Sequence, residues 1–203
     1  MLNLEHAFKF PTTDRDWKRK VLIGGVLNII PVVNFLSIGY AYRLFQESLD
    51  TQESSLPEWE DWGDLFLQGL IVFLISLIYN LASFVLALIH PVVGLLASIA
   101  VALLLPAALA QHAMSGNFSK AFQLKEIWES IRQAGNDYFV AWLVTIAIFL
   151  LLAVIATVPV LGWIISAIIA FYAFLVFALL FGELFSPQKP PTNDDYRLIT
   201  GEE

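Results

Sequence analysis

Three histidines, His6, His90 and His112, are the side chains best suited to hold a metal or move a proton near neutral pH. They are scattered along the chain and match no ligand spacing such as HExxH, so each reads as interfacial or solvated. There is no cysteine, which removes thiolate nucleophiles, thiolate ligands and disulfides. No serine-nucleophile motif or phosphate-cradling glycine loop occurs, and Gly24-Gly25 lies in an apolar run where it permits close helix packing. The expectation is a protein with no catalytic residues, no cofactor and no metal, and hence not an enzyme.

The polar residues that remain of interest lie inside apolar stretches. Of the 203 residues 58% are apolar and 14% charged, and mean hydropathy is +0.72, values outside the range of soluble domains. The chain is therefore read as an integral membrane protein. Asn28, Asn34 and Asn80 stand at membrane depth together with several hydroxyl side chains, and none of these is ionisable near physiological pH. Charge-coupled transport normally needs a buried carboxylate or cation, so asparagines of this kind read first as hydrogen-bonding glue between helices. Lining a path for a neutral solute is the other reading. Glu183, near a helix end, is expected to reach the interface. A net charge of −7 argues against nucleic acid as a partner, leaving the lipid bilayer, another membrane protein or a second copy of the chain.

A possible interaction surface lies in the acidic connection between Arg43 and Asp64. At 100° per residue Trp59, Trp62 and Phe66 share one face and Glu60, Asp61 and Asp64 the other, which predicts an amphipathic surface helix over about 57–64. Trp59, Asp61, Trp62, Asp64 and Phe66 are its candidate contact residues, with a plain membrane anchor as the equal alternative.

The elements that must position these residues are set by prolines. Pro31, Pro91 and Pro159 each interrupt an apolar run, each is followed by valine, and they stand 60 and then 68 residues apart. Proline ends one helix and suits the first turn of the next, so each marks the tip of a hairpin. Hairpins are expected at about 17–49, 65–110 and 138–183. The first is short and open to a re-entrant reading: Val21 to Ile30 would reach only about 15 Å. With three hairpins, all 11 Lys and Arg residues fall on one side of the bilayer, and both termini are then cytoplasmic. A single kinked span over Val21 to Tyr42 would divide them. Gly94, Ser98 and Ala102 after one proline, and Gly162, Ser166 and Ala170 after another, form matching stripes of small residues for helix packing. A second surface helix is expected at about 119–134, where Leu124, Ile127, Trp128 and Ile131 keep helical spacing. Residues 1–185 make one polytopic domain, and 186–203, rich in proline and acid, a mobile cytoplasmic tail. Met1 to Phe10 lacks the apolar core of a signal peptide, so the first apolar stretch is expected to be retained.

Several of these residues fall into a recognisable pattern. Pro11-x-x-Asp14-x-x-Trp17, Ile23-Gly24-Gly25, Pro31 to Tyr40, and above all Leu56-Pro57-Glu58-Trp59-x-Asp61-Trp62-Gly63-Asp64-Leu65-Phe66-x-x-Gly69 resemble the membrane family called domain of unknown function 4013. The resemblance implies a bacterial or archaeal cytoplasmic (inner) membrane protein and supplies no activity, ligand or functional residue. The expected class is all-α: three hairpins plus two amphipathic surface helices. The expected role is a scaffold or accessory subunit packing against membrane proteins or lipids, with a small carrier or pore for a neutral or lipidic solute as the alternative.

Overall fold

A computed structural model describes residues 3–50 and 55–186. Among them the chain is all-α, with seven α-helices: α1 (Leu4–Lys9), α2 (Trp17–Ile29), α3 (Asn34–Asp50), α4 (Trp62–Ile89), α5 (Pro91–Ser115), α6 (Leu124–Ile155) and α7 (Leu161–Phe185). Short 3-10 turns at Phe10–Thr12 and Phe118–Phe122 complete the elements. The expected tail over 187–203 lies outside the described residues.

Each of the three prolines stands at a chain reversal. Ile30 and His90, immediately before Pro31 and Pro91, are extended, the conformation that a following proline imposes, and so α2 and α4 end there. Pro91 then opens α5, where its missing N–H costs nothing. The other two reversals are longer, from Ile29 to Asn34 and from Ile155 to Leu161. Val32 at φ 71° and Val160 at φ 63°, each directly after its proline, adopt a left-handed backbone that is unusual for a β-branched residue.

Helices α4, α5, α6 and α7 are long and apolar enough to cross a bilayer. Their length and composition are compatible with a multi-pass membrane protein. Helix α7 is the central pillar: 44% of its apolar window is buried, against 17% for α4 and α6 and 28% for α5. Phe171, Leu175, Leu179 and Phe181 along it are fully enclosed.

The first hairpin lies against this pillar. A Cβ on Gly24 would meet the Phe171 ring, one on Gly25 would meet Ile168, and Asn28 donates from Nδ2 to the Ala167 carbonyl at 3.1 Å. Helix α2 therefore runs antiparallel to α7. Helix α3 runs parallel to it, with Tyr40 beside Phe171 and Ser48 against Gly182. These registers place the tip at Pro31 to Val33 within about a turn of the start of α7. The arm is short, as the sequence suggests, yet its tip ends level with that of the α6–α7 hairpin.

The two surface helices fare differently. Residues 55–61 carry no regular structure, so the helix expected over about 57–64 does not form as a separate element, and helical geometry begins only at Trp62, in the first turn of α4. The second is present in part. Leu124 begins a helix that continues to Gly135, whose φ of 61° and ψ of −138° break it as only glycine can with ease, and α6 resumes beyond. Ile127 and Ile131 are buried while Leu124 and Trp128 face outward.

Candidate functional site

Two places in the fold concentrate polar or cavity features: the strap between α3 and α4, and the space among the long helices.

The strap, residues 55–61, lies across the base of the first hairpin. Its anchor is Lys20, whose side chain is only 5% exposed. Lys20 Nζ donates to Asp14 Oδ2 at 2.9 Å and to the Leu56 carbonyl at 2.9 Å, and it pairs with Glu58 Oε1 at 2.6 Å. Three acceptors match the three protons of an ammonium group. Burial alone would lower the Lys20 pKa, but hydrogen bonds and charge from Glu58 and Asp14 outweigh it and hold the value above normal. Two aromatic side chains fasten the strap from the other side. Tyr40 donates to the Pro57 carbonyl at 2.6 Å, and Trp59 donates from Nε1 to the Lys20 carbonyl at 3.2 Å. The rings of Tyr40 and Trp59 stack with centroids 4.2 Å apart.

The five residues of the expected contact face take different positions. Trp59 points inward and is spent on the strap. Asp61 remains exposed with a left-handed backbone, and Trp62 is 45% exposed. Asp64 accepts from Arg43 at 2.9 Å and from Gln68 at 2.7 Å, and Phe66 meets Phe35 edge-on. The five residues do not form one outward surface.

The three asparagines also separate. Asn28 bridges α2 and α7 as described, and replacing it with alanine should cost about 0.6 kcal/mol, read as a small drop in unfolding midpoint in detergent. Asn34 has a buried Oδ1 with no partner among the described residues, and Asn80 turns back to its own helix at the Ser76 carbonyl, on an exposed face. They do not line a common path. Of the small-residue stripes, Gly162, Ser166 and Ala170 face α6: Gly162 abuts Ile155, while Ser166 and Ala170 border a groove with Phe149 and Leu152. Gly94 packs on Ala87 of the same hairpin, but Ser98 stands exposed, and Ala102, also exposed, borders a cavity with Trp142 and Phe177.

Among the histidines, His6 pairs with Glu183 at 2.9 Å, tying α1 to the end of α7, and His90 is exposed at its turn. His112 is buried rather than solvated, and it shares a hydrogen bond with the hydroxyl of Tyr42, 70 residues away in sequence. No local spacing could have announced that pair. Among the described residues no group of histidine, aspartate and glutamate is arranged to hold a metal.

Two apolar cavities lie between the long helices. The first, about 300 Å³, is lined by Ile38, Tyr42, Phe45, Leu109, Phe149 and Phe177 among others. The second, about 400 Å³, is lined by residues including Ala102, Pro106, Trp142, Ile146, Phe149 and Phe177. Leu105, Phe149 and Phe177 border both. Neither brings together an acid, a base and a nucleophile.

The chain belongs to the family described as "Protein of unknown function (DUF4013)", whose model matches residues 23–95 and 80–161. The matched stretches take in the strap, the first hairpin from Ile23 onward and both cavity-forming hairpins up to the start of α7. No match was found among the curated proteins or the solved structures.

Proposed function

We propose that the protein is a non-enzymatic scaffold or accessory subunit that presents its α4–α5 hairpin to another membrane protein or to a second copy of the chain. One observation carries the reading: the small-residue device that follows Pro159 is used inside the chain, while its counterpart after Pro91 is left uncovered from Ser98 onward. Helices in lipid associate by close van der Waals packing at small residues, because lipid tails offer no hydrophobic drive. Leu81, Phe84, Leu88, Leu95 and Leu96 extend the same uncovered hairpin. The absence of any assembled acid, base and nucleophile among the described residues supports a role without chemistry.

The test is cross-linking in native membranes followed by mass spectrometry. The parent chain should give a defined cross-linked species, and the double variant Ser98→Leu with Ala102→Leu should lose it while keeping its helicity. Purification of the parent as a monomer with no cross-linked neighbour would reject the reading. The cavities favour a second reading, a small carrier for a neutral or lipidic solute, which solute flux in reconstituted vesicles would support. Asn80 faces away from them and should be dispensable for such flux.

The one-sided distribution of Lys and Arg that three hairpins give supports a cytoplasmic membrane location with both termini inside.

A further inference from the structure

We infer that the two adjoining cavities among α3, α4, α5, α6 and α7 hold one acyl chain of a membrane phospholipid. The inference does not rest on the partner reading: the cavities lie among the helices of one chain, and only Ala102 is common to the two readings.

Water is a poor occupant of this space. The lining is almost wholly aliphatic and aromatic, so water would enter with too few polar partners to replace its own hydrogen bonds. An apolar void of about 150 Å³ already stays dry and takes up benzene. The two cavities here, about 300 and 400 Å³, are each at least twice that and share Leu105, Phe149 and Phe177 as common walls. Empty space of that size would forfeit dispersion contacts along every wall. An elongated hydrocarbon fits a site of this form better than a compact solute. The cavities are partly open between helices long and apolar enough to span a bilayer, so the apolar molecules with access to them are lipid chains.

A second feature points to a lipid that carries oxygen. The indole Nε1 of Trp142, on a residue lining the second cavity, is buried and has no acceptor among the described residues. A buried donor without a partner calls for an explanation. The ester carbonyl of an acyl chain is an acceptor of the right kind, and with a small turn of the indole it would give Trp142 the bond it lacks.

Native mass spectrometry of the full chain, stripped of lipid in mild detergent and titrated with dioleoyl phosphatidylcholine, tests this. One phospholipid per chain should bind saturably. Leu105→Trp, which projects a larger side chain from the wall common to both cavities, should weaken binding at least tenfold. Trp142→Phe keeps the shape and removes the donor, and should weaken binding about fivefold, the equivalent of one neutral hydrogen bond. No retained lipid, non-saturating binding of many lipids, or unchanged binding in a folded Leu105→Trp variant would overturn the inference. If Leu105→Trp does not fold, unchanged binding in Trp142→Phe overturns it instead. Displacement of the phospholipid by equimolar oleate would overturn the assignment to a phospholipid.

Discussion

Replacing Lys20 with methionine should destabilise the protein by about 3 kcal/mol, near the lower end of what is lost when one partner of a buried ion pair is removed. The figure follows from the two carboxylates. The Asp14 side chain is only 14% exposed and would be left as an uncompensated charge, whereas that of Glu58 is 70% exposed and would simply be hydrated. The companion substitution Glu58→Gln should accordingly cost less than about 1 kcal/mol, as expected of an exposed partner. Unfolding in detergent, followed by circular dichroism, measures both. A pH titration supplies an independent check. Because the Lys20 pKa is raised in the folded state, its contribution is fully present below the ordinary lysine value of 10.5 and is lost as pH climbs above it. Parent stability should thus fall more steeply above that pH than that of Lys20→Met, which keeps only the alkaline loss that both proteins share from their buried tyrosines. Equal alkaline sensitivity in the two proteins would remove the ammonium from the account.

The second large effect is expected where α3 and α4 cross. A Cβ added to Gly39 would lie 1.8 Å from the Leu65 carbonyl oxygen, and one added to Gly69 would lie 1.8 Å from that of Phe35. Both obstacles are backbone, so no side chain can swing aside and the helices themselves must part. Overpacking of a well-filled site typically costs about 1–3 kcal/mol, and rigid backbone on both sides puts Gly69→Leu at or above the top of that range. Parting the helices would also pull Arg43 away from Asp64, bonded at 2.9 Å across the same pair. The variant should unfold at lower temperature or fail to accumulate in membranes. Gly63→Ala is the control, since nothing lies within 4 Å of a Cβ there, and it should behave as the parent does.

The pattern of what the sequence revealed follows from which interactions are local. Proline acts on its immediate neighbours, so Pro31, Pro91 and Pro159 announce the three reversals without knowledge of the rest of the fold. Long apolar runs announce α4 to α7 for the same reason. The strap was hidden because its bonds are not local. Lys20 reads as one member of a basic collar with Lys18 and Arg19, yet its partners lie at Asp14, Leu56 and Glu58. Trp59, Trp62 and Phe66 keep helical spacing, but the stack of Trp59 on Tyr40 and the left-handed backbone of Asp61 hold the first of them off the helix. Tertiary contacts here override an amphipathic pattern. The stretch from Leu56 to Gly69, inside the residues matched to the family, contains most of the strap and one of the two crossing glycines. Leu56, Pro57, Trp59 and Gly69 within it thus help to fix the first hairpin.

The most direct test of the account is the position of the hairpin tips. The chain has no native cysteine, so single-cysteine variants at Val32, Val160 and Glu58 can be labelled without background, and all three positions are exposed. In sealed vesicles of one orientation, a membrane-impermeant maleimide should reach positions 32 and 160 from the same side and position 58 from the other. Labelling of positions 32 and 58 from one side, with 160 reached only from the opposite side, would contradict it.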